Sequence, residues 1–305
     1  MSLAPGPHGG DGAAVARALG VAVDEVLDLS MSMNPAAADP LPILAAHLEA
    51  LGRYPDARDA HRALAGALDV APERLLVTNG GAEAIALVAA ARGGSVVEPE
   101  FALHPRGTGP RWRSNPHNPT GLLAGPDERA DVWDEAFYPL ATGRWTRGDA
   151  DCVVVGSLTK LLACPGLRVG YVLADPDLID ELRRSQPAWS LNGLACAALP
   201  DLLDTVDLAR SAAAVAEGRA ALSALLAADG FAVRPSQANW VLVDRPGLRD
   251  ELLRARIVVR DCASFGLPGT VRIAVPPPRG LERLARALAR IDPTAPASPS
   301  TEEDS

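Results

Sequence analysis

Two short apolar runs flank the only lysine of this 305-residue chain. The first run, Cys152 to Gly156, and the second, Val169 to Leu173, have the length and composition typical of buried strands. Lys160 follows the first run closely, so we expect it in a loop at the end of a core strand. Open α/β sheets bind their ligands at such strand ends. These runs therefore predict an α/β fold with a ligand site beside Lys160.

The lysine stands out because the same chain carries 28 arginines. Arginine has the same charge as lysine, but it does not readily lose its proton or react with an aldehyde. A lysine retained in such a composition is suited to covalent amine chemistry. The alternative is a surface lysine with no special role.

Composition and charge narrow the classes of partner. A net charge of −9 and a pI near 5.1 argue against nucleic acid and anionic membranes as partners. The four cysteines lack the spacing of a zinc site or a disulfide framework, so no metal is predicted. No secretory signal and no run of 18 apolar residues are visible, which predicts a cytoplasmic protein.

Strand and helix patterns alternate along the chain, which predicts a largely parallel core sheet. We expect a strand at 95–98, mostly turns at 101–133 and one long helical span at 191–228. The predicted domains are an N-terminal segment associated with the small domain (1–50), a large domain (51–190), a small domain (191–292) and a disordered tail (293–305).

A glycine motif lies between a predicted strand and a predicted helix. The sequence Thr-Asn-Gly-Gly-Ala at 78–82 ends the strand that begins at Leu75 and opens the helix that follows. Free backbone amides at the start of a helix can bind a phosphate. The alternative is an ordinary glycine turn.

Three further motifs carry a family resemblance. They are Asn-Pro-His-Asn-Pro-Thr-Gly at 115–121, Asp-Glu-Ala-Phe at 134–137, and Ser-Leu-Thr-Lys at 157–160 with Arg168 eight residues after the lysine. Together they resemble the fold-type I pyridoxal-phosphate (PLP) enzymes of the class I and II aminotransferase superfamily. The resemblance extends to about residue 292. It implies PLP as cofactor and an α/β fold, with a mostly parallel sheet in the large domain and a smaller α+β domain.

The resemblance also assigns the residues that hold the covalent end and the phosphate of the cofactor. Lys160 would bind PLP covalently and act as the general base. Ser157, Arg168, Gly81 and Ala82 would bind its phosphate.

Other residues are assigned to the ring, the substrate and a second subunit. Asn118 would donate a hydrogen bond to the 3′-oxygen of the pyridine, and it would also face the substrate. Asp134 would pair with the pyridine nitrogen and Phe101 would stack on the ring. Arg272 would bind the substrate carboxylate. Tyr54 would reach the phosphate bound by the other subunit, which implies a homodimer with shared sites.

The N-terminal motif indicates a branch of the superfamily. His-Gly-Gly-Asp at 8–11, together with Phe137 where many aminotransferases have tyrosine, resembles threonine-phosphate decarboxylase of cobalamin biosynthesis. This branch implies a phosphorylated amino-acid substrate, with His8 near a second anionic pocket. A histidinol-phosphate-type or other class I/II aminotransferase is the first alternative. A catalytically silent PLP-binding homologue is the second.

Two intervals between the motifs are short. Only 16 positions separate Pro99 from Asn115, and 13 separate Gly121 from Asp134. Relatives have longer intervals with regular structure. We therefore expect a large domain that has lost a strand-containing piece and a helix.

Overall fold

The computed structural model describes Ala4, Gly6 and residues 8–149 and 151–294. Most of the predicted tail, from residue 295 onward, lies outside the described residues. The strands are β1 (Leu27–Leu29), β2 (Leu75–Thr78), β3 (Trp112–Ser114), β4 (Val132–Asp134), β5 (Val153–Ser157), β6 (Gly170–Leu173), β7 (Val233–Arg234), β8 (Trp240–Asp244), β9 (Ile257–Asp261) and β10 (Thr270–Ala274).

Helices connect most of these strands. The α-helices are α1 (Gly12–Leu19), α2 (Leu41–Ala46), α3 (Arg58–Leu68), α4 (Gly80–Arg92), α5 (Tyr138–Thr142), α6 (Leu158–Leu161), α7 (Pro176–Ser185), α8 (Gly193–Asp204), α9 (Leu208–Ala228), α10 (Leu248–Arg254) and α11 (Pro278–Leu288). Short 3₁₀ turns lie at Val23–Glu25, Leu48–Gly52, Pro72–Arg74 and Ala263–Phe265.

The chain divides into two compact units. Among the described residues, the larger unit holds those within 33–216 and 237–239, and the smaller unit holds those within 4–32, 217–236 and 240–294. Residues 33–50 belong to the larger unit, because α2 and the 3₁₀ turn after it pack against α8. The compact units therefore divide the chain at residues 32 and 216 rather than at the predicted 50 and 190.

The sheet of the larger unit has the strand order β2-β6-β5-β4-β3. β3, β4 and β5 pair in parallel, whereas β6 is antiparallel to both β5 and β2. β2, β3, β4 and β5 therefore run in the same direction, and their carboxyl ends meet at one edge of the sheet. This edge is where an α/β sheet binds ligands.

Apolar side chains alternate between the two faces of this sheet. One face contributes Leu75, Trp133 and Val154 to a core completed by α3 and α8. The other face contributes Val132 and Val155 to a core completed by α4 and α7. A mainly parallel sheet needs this cover on both faces, because its strands are apolar on both sides.

The outer strands of the sheet are capped by side chains. His61 Nε2 lies 3.0 Å from Leu75 O, and Gln186 Nε2 donates to Val77 O at 2.9 Å. On the opposite edge, Ser114 N donates to Glu100. Caps of this kind satisfy backbone groups that an exposed edge strand would otherwise offer to another chain.

The sheet of the smaller unit has the strand order β1-β9-β10-β8-β7. Its core joins Val241, Ile257 and Ile273 of the sheet to Leu252 of α10 and Leu284 of α11. β1 and β9 are parallel, and the other pairs are antiparallel. This unit is a mixed α+β structure.

Three predicted elements differ from the observed ones. The predicted strand 95–98 is reduced to an isolated bridge between Ser95 and Arg111. The turn-rich region 101–133 contains β3 and most of β4. The predicted helical span 191–228 is two helices, because the Asp207 carboxylate accepts a hydrogen bond from Arg210 N at 2.9 Å and so starts α9 anew.

α9 is the one helix within the described ranges that is long and apolar enough to cross a membrane by length and composition. Val215 lies in the core of the larger unit, whereas Leu222 and Leu226 lie in the core of the smaller unit. Core helices pass the same test, so this is weak evidence for a membrane span.

Candidate active site

Glycines, a serine and an arginine converge where α4 begins. Gly80, the first residue of α4, has a φ of +76°, which favours glycine. A Cβ at Gly80 would collide with the Arg168 guanidinium, and a Cβ at Gly81 would lie 3.2 Å from Ser157 Cβ. Ala82 follows in the same turn. Free amides at a helix start, a hydroxyl and a guanidinium are suitable donors for a phosphate.

Arg168 is held in place by its backbone and by two contacts. Its φ of +61° is in the left-handed region, which is uncommon for arginine. Its Nη1 donates to Thr159 Oγ1 and to Pro165 O, both at 3.4 Å. Gly170 at the start of β6 pairs with the last residues of β2 and β5. This register brings Arg168 to the carboxyl edge of the sheet.

Lys160 lies in α6, the short turn that follows β5. Ser157 caps this turn, because its Oγ accepts a hydrogen bond from Thr159 N at 3.3 Å. Lys160 is half-buried, and its Nζ lies 5.9 Å from the centroid of the Phe137 ring. The only lysine therefore lies at the same strand end as the donors described above.

Asp134 ends β4 at this edge and is 9% exposed. Its Oδ1 accepts a hydrogen bond from Ala136 N at 3.0 Å, and its Oδ2 lies 3.0 Å from His104 Nε2. Asn115 N donates to the backbone oxygen of Asp134 at 2.7 Å. The structure thus places a buried carboxylate directly beside the start of the 115–121 motif.

The 115–121 motif is a tight turn held by its own side chains. His117 Nδ1 lies 2.7 Å from Thr120 Oγ1, and His117 Nε2 lies 2.8 Å from Pro99 O. Asn115 Oδ1 accepts a hydrogen bond from Ala124 N at 3.0 Å. These contacts fix the backbone around Asn118, which is 7% exposed.

Phe101 lies in the loop between α4 and β3, which runs from residue 93 to residue 111. It packs against the core formed by α4, α7 and the sheet, and its ring is perpendicular to that of His104 at 5.6 Å between centroids. Tyr54 is not in this cluster. Its side chain is 78% exposed and stacks on Trp189 with 4.7 Å between ring centroids.

The smaller unit holds the predicted residues Arg272 and His8. Arg272 lies in β10, is 7% exposed and places its guanidinium carbon 4.8 Å from the centroid of the Trp240 ring. Burial lowers the pKa of Arg272 to about 10. His8 is exposed in a bend.

The segment after His8 docks on the end of β1. Gly10 N donates to Ser30 Oγ at 2.8 Å, and Gly12 N donates to Asp28 Oδ2 at 2.9 Å. A Cβ at Gly9 would collide with the backbone oxygen of Ser30. The glycines of the His-Gly-Gly motif therefore allow a close approach between two backbone segments.

Sequence reasoning missed several residues of these clusters. Arg260, 4% exposed, pairs in register with Arg272 and donates to Gly6 O at 2.7 Å. Its sequence neighbours do not distinguish it from the other arginines, whereas the strand pairing does. His104 and Glu100 were also missed, because their partners Asp134 and Ser114 are remote in sequence.

Arg106 is the fourth residue missed, and it organises the loop that contains Phe101. Its Nη1 donates to Phe101 O at 3.1 Å and to His104 O at 2.6 Å, and its Nη2 donates to Glu100 O at 3.0 Å. Its Nε donates to Glu98 Oε1 at 2.7 Å. One side chain thus holds the carbonyls of a loop that has no regular structure.

The cluster in the larger unit suits PLP. The start of α4, Ser157 and Arg168 offer donors to a phosphate, and the glycines leave a cradle that a Cβ would fill. Lys160 supplies an amine, and Asp134 supplies a buried carboxylate. Among the residues the structure describes, no group of three or more His, Cys, Asp and Glu side chains could hold a metal ion.

Two curated relatives are similar over most of their length. The histidinol-phosphate aminotransferase of Anaeromyxobacter sp. (strain Fw109-5) is 32% identical over 334 aligned residues, which cover 88% of this chain and 92% of that enzyme. The threonine-phosphate decarboxylase of Salmonella typhimurium is 31% identical over 367, which cover 95% and 98%. The second alignment is longer than this chain, so the Salmonella enzyme has residues without a counterpart here.

A solved structure shares the fold. The histidinol-phosphate aminotransferase of Sinorhizobium meliloti in complex with pyridoxal-5′-phosphate has a TM-score of 0.79 and 18% identity, and the match covers 94% of each chain. The predicted PLP-transferase fold of type I is thereby confirmed, in a shortened chain. Residues 112–288 match the family model described as aminotransferase class I and II, whose members are PLP-dependent enzymes. With more than half of its length matched by that model, this chain belongs to the aminotransferase class I and II family.

Proposed function

We propose that this chain is a PLP-dependent enzyme that acts on a phosphorylated amino acid. The observation that carries the proposal is the convergence of Lys160, Ser157 and Arg168 with the glycine start of α4. PLP carries an aldehyde and a phosphate, so its site requires an amine close to a set of phosphate donors. Lys160 and Ser157 meet this requirement, because they lie three residues apart. When bound, PLP supplies an electron-accepting ring that stabilises negative charge on the substrate Cα.

Each residue of the cluster has a role in this proposal. Lys160 Nζ would bond covalently to the aldehyde carbon of PLP, while Ser157, Arg168, Gly81 and Ala82 would bind its phosphate. Asp134 would hold a proton on the pyridine nitrogen, because a buried carboxylate stabilises a neighbouring cation.

Asn118 donates a hydrogen bond to the 3′-oxygen and faces the substrate, and Phe101 stacks on the ring. The amine of Lys160 would move a proton at the substrate Cα as general base or acid. The apolar ring of Phe137, 5.9 Å from Nζ, provides no competing hydroxyl beside that amine.

The smaller unit supports an anionic substrate. Arg272 binds the substrate carboxylate, since a planar guanidinium can make two parallel hydrogen bonds to it. Arg260 is buried beside Arg272 in the neighbouring strand. Two guanidiniums in register on neighbouring strands offer charge-assisted hydrogen bonds that suit a substrate with two anionic groups. We assign Arg260, with His8, to the substrate phosphate.

We favour a threonine-phosphate decarboxylase-like reaction, as in cobalamin biosynthesis. Support comes from the docked His8–Asp11 segment, from Phe137, and from the 98% coverage of the Salmonella enzyme. The enzyme would then break the bond from Cα to the carboxylate and release carbon dioxide.

A second candidate is a histidinol-phosphate-type aminotransferase. Its support is the 32% identical relative from Anaeromyxobacter. In that case the Cα proton would be removed, the amino group would pass by way of the cofactor to a keto-acid acceptor, and the substrate would leave as a keto compound. Both reactions would use the same cofactor-binding residues, so the substrate and its orientation would decide between them.

We also propose a homodimer with shared sites. Leu48, Leu51, Tyr54 and Trp189 are all exposed on the larger unit, and their apolar side chains suit burial against a second copy. Tyr54 would then reach the phosphate cradle of that copy. Neither nucleic acid nor membrane is part of this proposal, and the four free cysteines fit the reducing cytoplasm.

The decisive experiment mixes PLP-loaded protein with phosphothreonine, histidinol phosphate and glutamate in turn, and measures carbon dioxide and keto products. The favoured reaction predicts carbon dioxide from phosphothreonine alone. Keto product from histidinol phosphate would favour the aminotransferase instead. Bound PLP whose spectrum does not respond to any of the three would point to a catalytically silent homologue and contradict the enzyme proposal.

A further inference from the structure

Glu100 is a buried carboxylate beside the loop that contains Phe101 and the end of β3. Its side chain is 1% exposed. Oε1 accepts hydrogen bonds from Phe101 N at 2.9 Å and from Ser114 Oγ at 2.5 Å, and Oε2 accepts one from Ser114 N at 2.9 Å. A buried carboxylate is tolerated only when its oxygens are hydrogen-bonded in this way.

Two histidines approach the same carboxylate. His104 Nδ1 lies 3.8 Å from Oε1 and His117 Nε2 lies 3.9 Å from Oε2. The His104 side chain is fully buried, its Nε2 is 3.0 Å from Asp134, and its Nδ1 has no hydrogen-bond partner. A buried ring nitrogen without a partner is costly. The His104 ring therefore lies between two carboxylates, with Nε2 facing Asp134 and Nδ1 facing Glu100.

Glu100 therefore contacts three structural segments that present groups to the cofactor. Through Phe101 N it holds the loop with the stacking ring. Through Ser114 it holds the end of β3, next to the turn that contains Asn118. The His104 ring separates it from Asp134 and contacts both carboxylates.

The loop around Glu100 is short and has few backbone hydrogen bonds, which explains why side chains must hold it. The loop from Pro99 to Asn115 spans 16 positions and contains little regular structure besides β3. The sheet ends at β3, so it offers no further strand whose backbone hydrogen bonds could hold these segments. Side chains must hold them instead. Glu100 links them from inside, while Arg106 links the loop carbonyls from outside.

We propose that Glu100 is a positioning residue that sets Phe101, Asn118 and Asp134 against the cofactor ring. The inference rests on the proposed function, since it takes these residues to hold PLP. Glu100 itself touches neither the cofactor nor the substrate in this account; it acts through the loop, through Ser114 and through His104.

The test compares Glu100→Gln with Glu128→Gln. Glutamine keeps the shape of the side chain and removes its charge. Glu128 is a suitable control because it also pairs with β3, through Arg113, but it is 30% exposed and, among the described residues, accepts no hydrogen bond from Phe101, Ser114 or His104. The measurements are the dissociation constant of PLP and the visible circular dichroism of the bound cofactor at saturating PLP.

We expect Glu100→Gln to raise the dissociation constant of PLP about tenfold, by weakening hydrogen bonds to a charged group. Its circular dichroism at saturation should fall, because the ring is then held less uniformly. Glu128→Gln should match the unmodified protein in both measurements. A purely structural role would lower only the melting temperature of the cofactor-free protein.

Two results overturn the inference. One is an unchanged dissociation constant and circular dichroism in a folded Glu100→Gln protein, with or without a lower melting temperature. If Glu100→Gln does not fold, Ser114→Ala replaces it, because this variant removes one hydrogen bond to the same carboxylate. The second overturning result is then an unchanged dissociation constant and circular dichroism in Ser114→Ala. Failure of the unmodified protein to bind PLP at Lys160 would instead refute the proposed function, and this inference with it.

Discussion

Two adjacent carboxylates at the end of β4 have different environments. Asp134 contacts His104 through Oδ2 and accepts a hydrogen bond from Ala136 N through Oδ1. Glu135 is 1% exposed, and burial raises its pKa from 4.5 to about 7. The hydrogen bonds from Thr146 and from Arg147 N, at 3.1 Å to Oε1, lower the pKa and offset only part of that increase. Glu135 thus holds the turn at Arg147, and its contribution to the free energy of unfolding depends on pH.

Replacing Glu135 with glutamine should change the pH dependence of stability. The native state keeps the Glu135 proton up to a pH of about 7, whereas the unfolded chain loses it near 4.5. The unfolded state therefore binds fewer protons in this window, so the contribution of Glu135 to stability falls as pH rises from 4.5 to 7. The loss is on the order of 3 kcal/mol, and Glu135→Gln should avoid it.

The measurement is urea unfolding of the cofactor-free protein at several pH values. The difference in the free energy of unfolding, Glu135→Gln minus unmodified, should increase between pH 4.5 and 7 and stay constant above. A difference that does not vary with pH would contradict the buried state of this carboxylate.

At the scale of elements, the site depends on how closely β6 approaches α4. A Cβ at Gly170 would collide with the backbone of Gly80 and Gly81. Backbone atoms cannot move aside as a flexible side chain can. Because Gly170 has no side chain, Ser157, Arg168 and the start of α4 can lie close enough to form one cradle.

Gly170→Ala should destabilise the protein and weaken PLP binding together. Overpacking of this kind costs about 1–3 kcal/mol, and it separates the phosphate donors. Thermal melting without cofactor and PLP titration measure the two effects. Gly166→Ala is the matched control, because a Cβ there has nothing within 4 Å. Equal behaviour of the two variants would show that the close approach is not important.

The strand ends that carry the motifs were predictable from the sequence. The short strands beside them and the buried residues that hold them in place were not. The apolar runs that became β2, β5 and β6 have clear boundaries, so the positions of Lys160 and Arg168 relative to them follow directly. β3 and β4 have three residues each, too few for a recognisable pattern. The roles of Glu100 and Arg260 depend on pairing between remote segments, which local sequence does not contain.

At the scale of the whole molecule, apolar exposure suggests a surface for assembly. Leu48, Leu51 and Tyr54 are 53%, 62% and 78% exposed, and the Tyr54 ring stacks on Trp189, itself 62% exposed. Contiguous exposed apolar side chains commonly mark an interface. This is the surface that the proposed homodimer would bury.

Leu51→Glu should shift the protein from dimer to monomer, because a carboxylate is costly to bury in an apolar interface. Light scattering coupled to size-exclusion chromatography measures the mass in solution. Val97→Glu is the control: Val97 is 69% exposed, but it lies near β3 rather than in this surface. A dimer that survives Leu51→Glu, or a monomeric unmodified protein, would contradict the proposed interface.

The central claim is that Lys160 binds PLP covalently, and the composition of the chain allows a direct test. Borohydride reduction of the PLP-loaded protein, followed by peptide mass spectrometry, locates the attachment site. Because no other lysine exists to compete, the account predicts one pyridoxyl adduct, on the peptide that contains Lys160, and its loss in Lys160→Ala. The absence of an adduct in the unmodified protein, or its full retention in Lys160→Ala, would contradict the account.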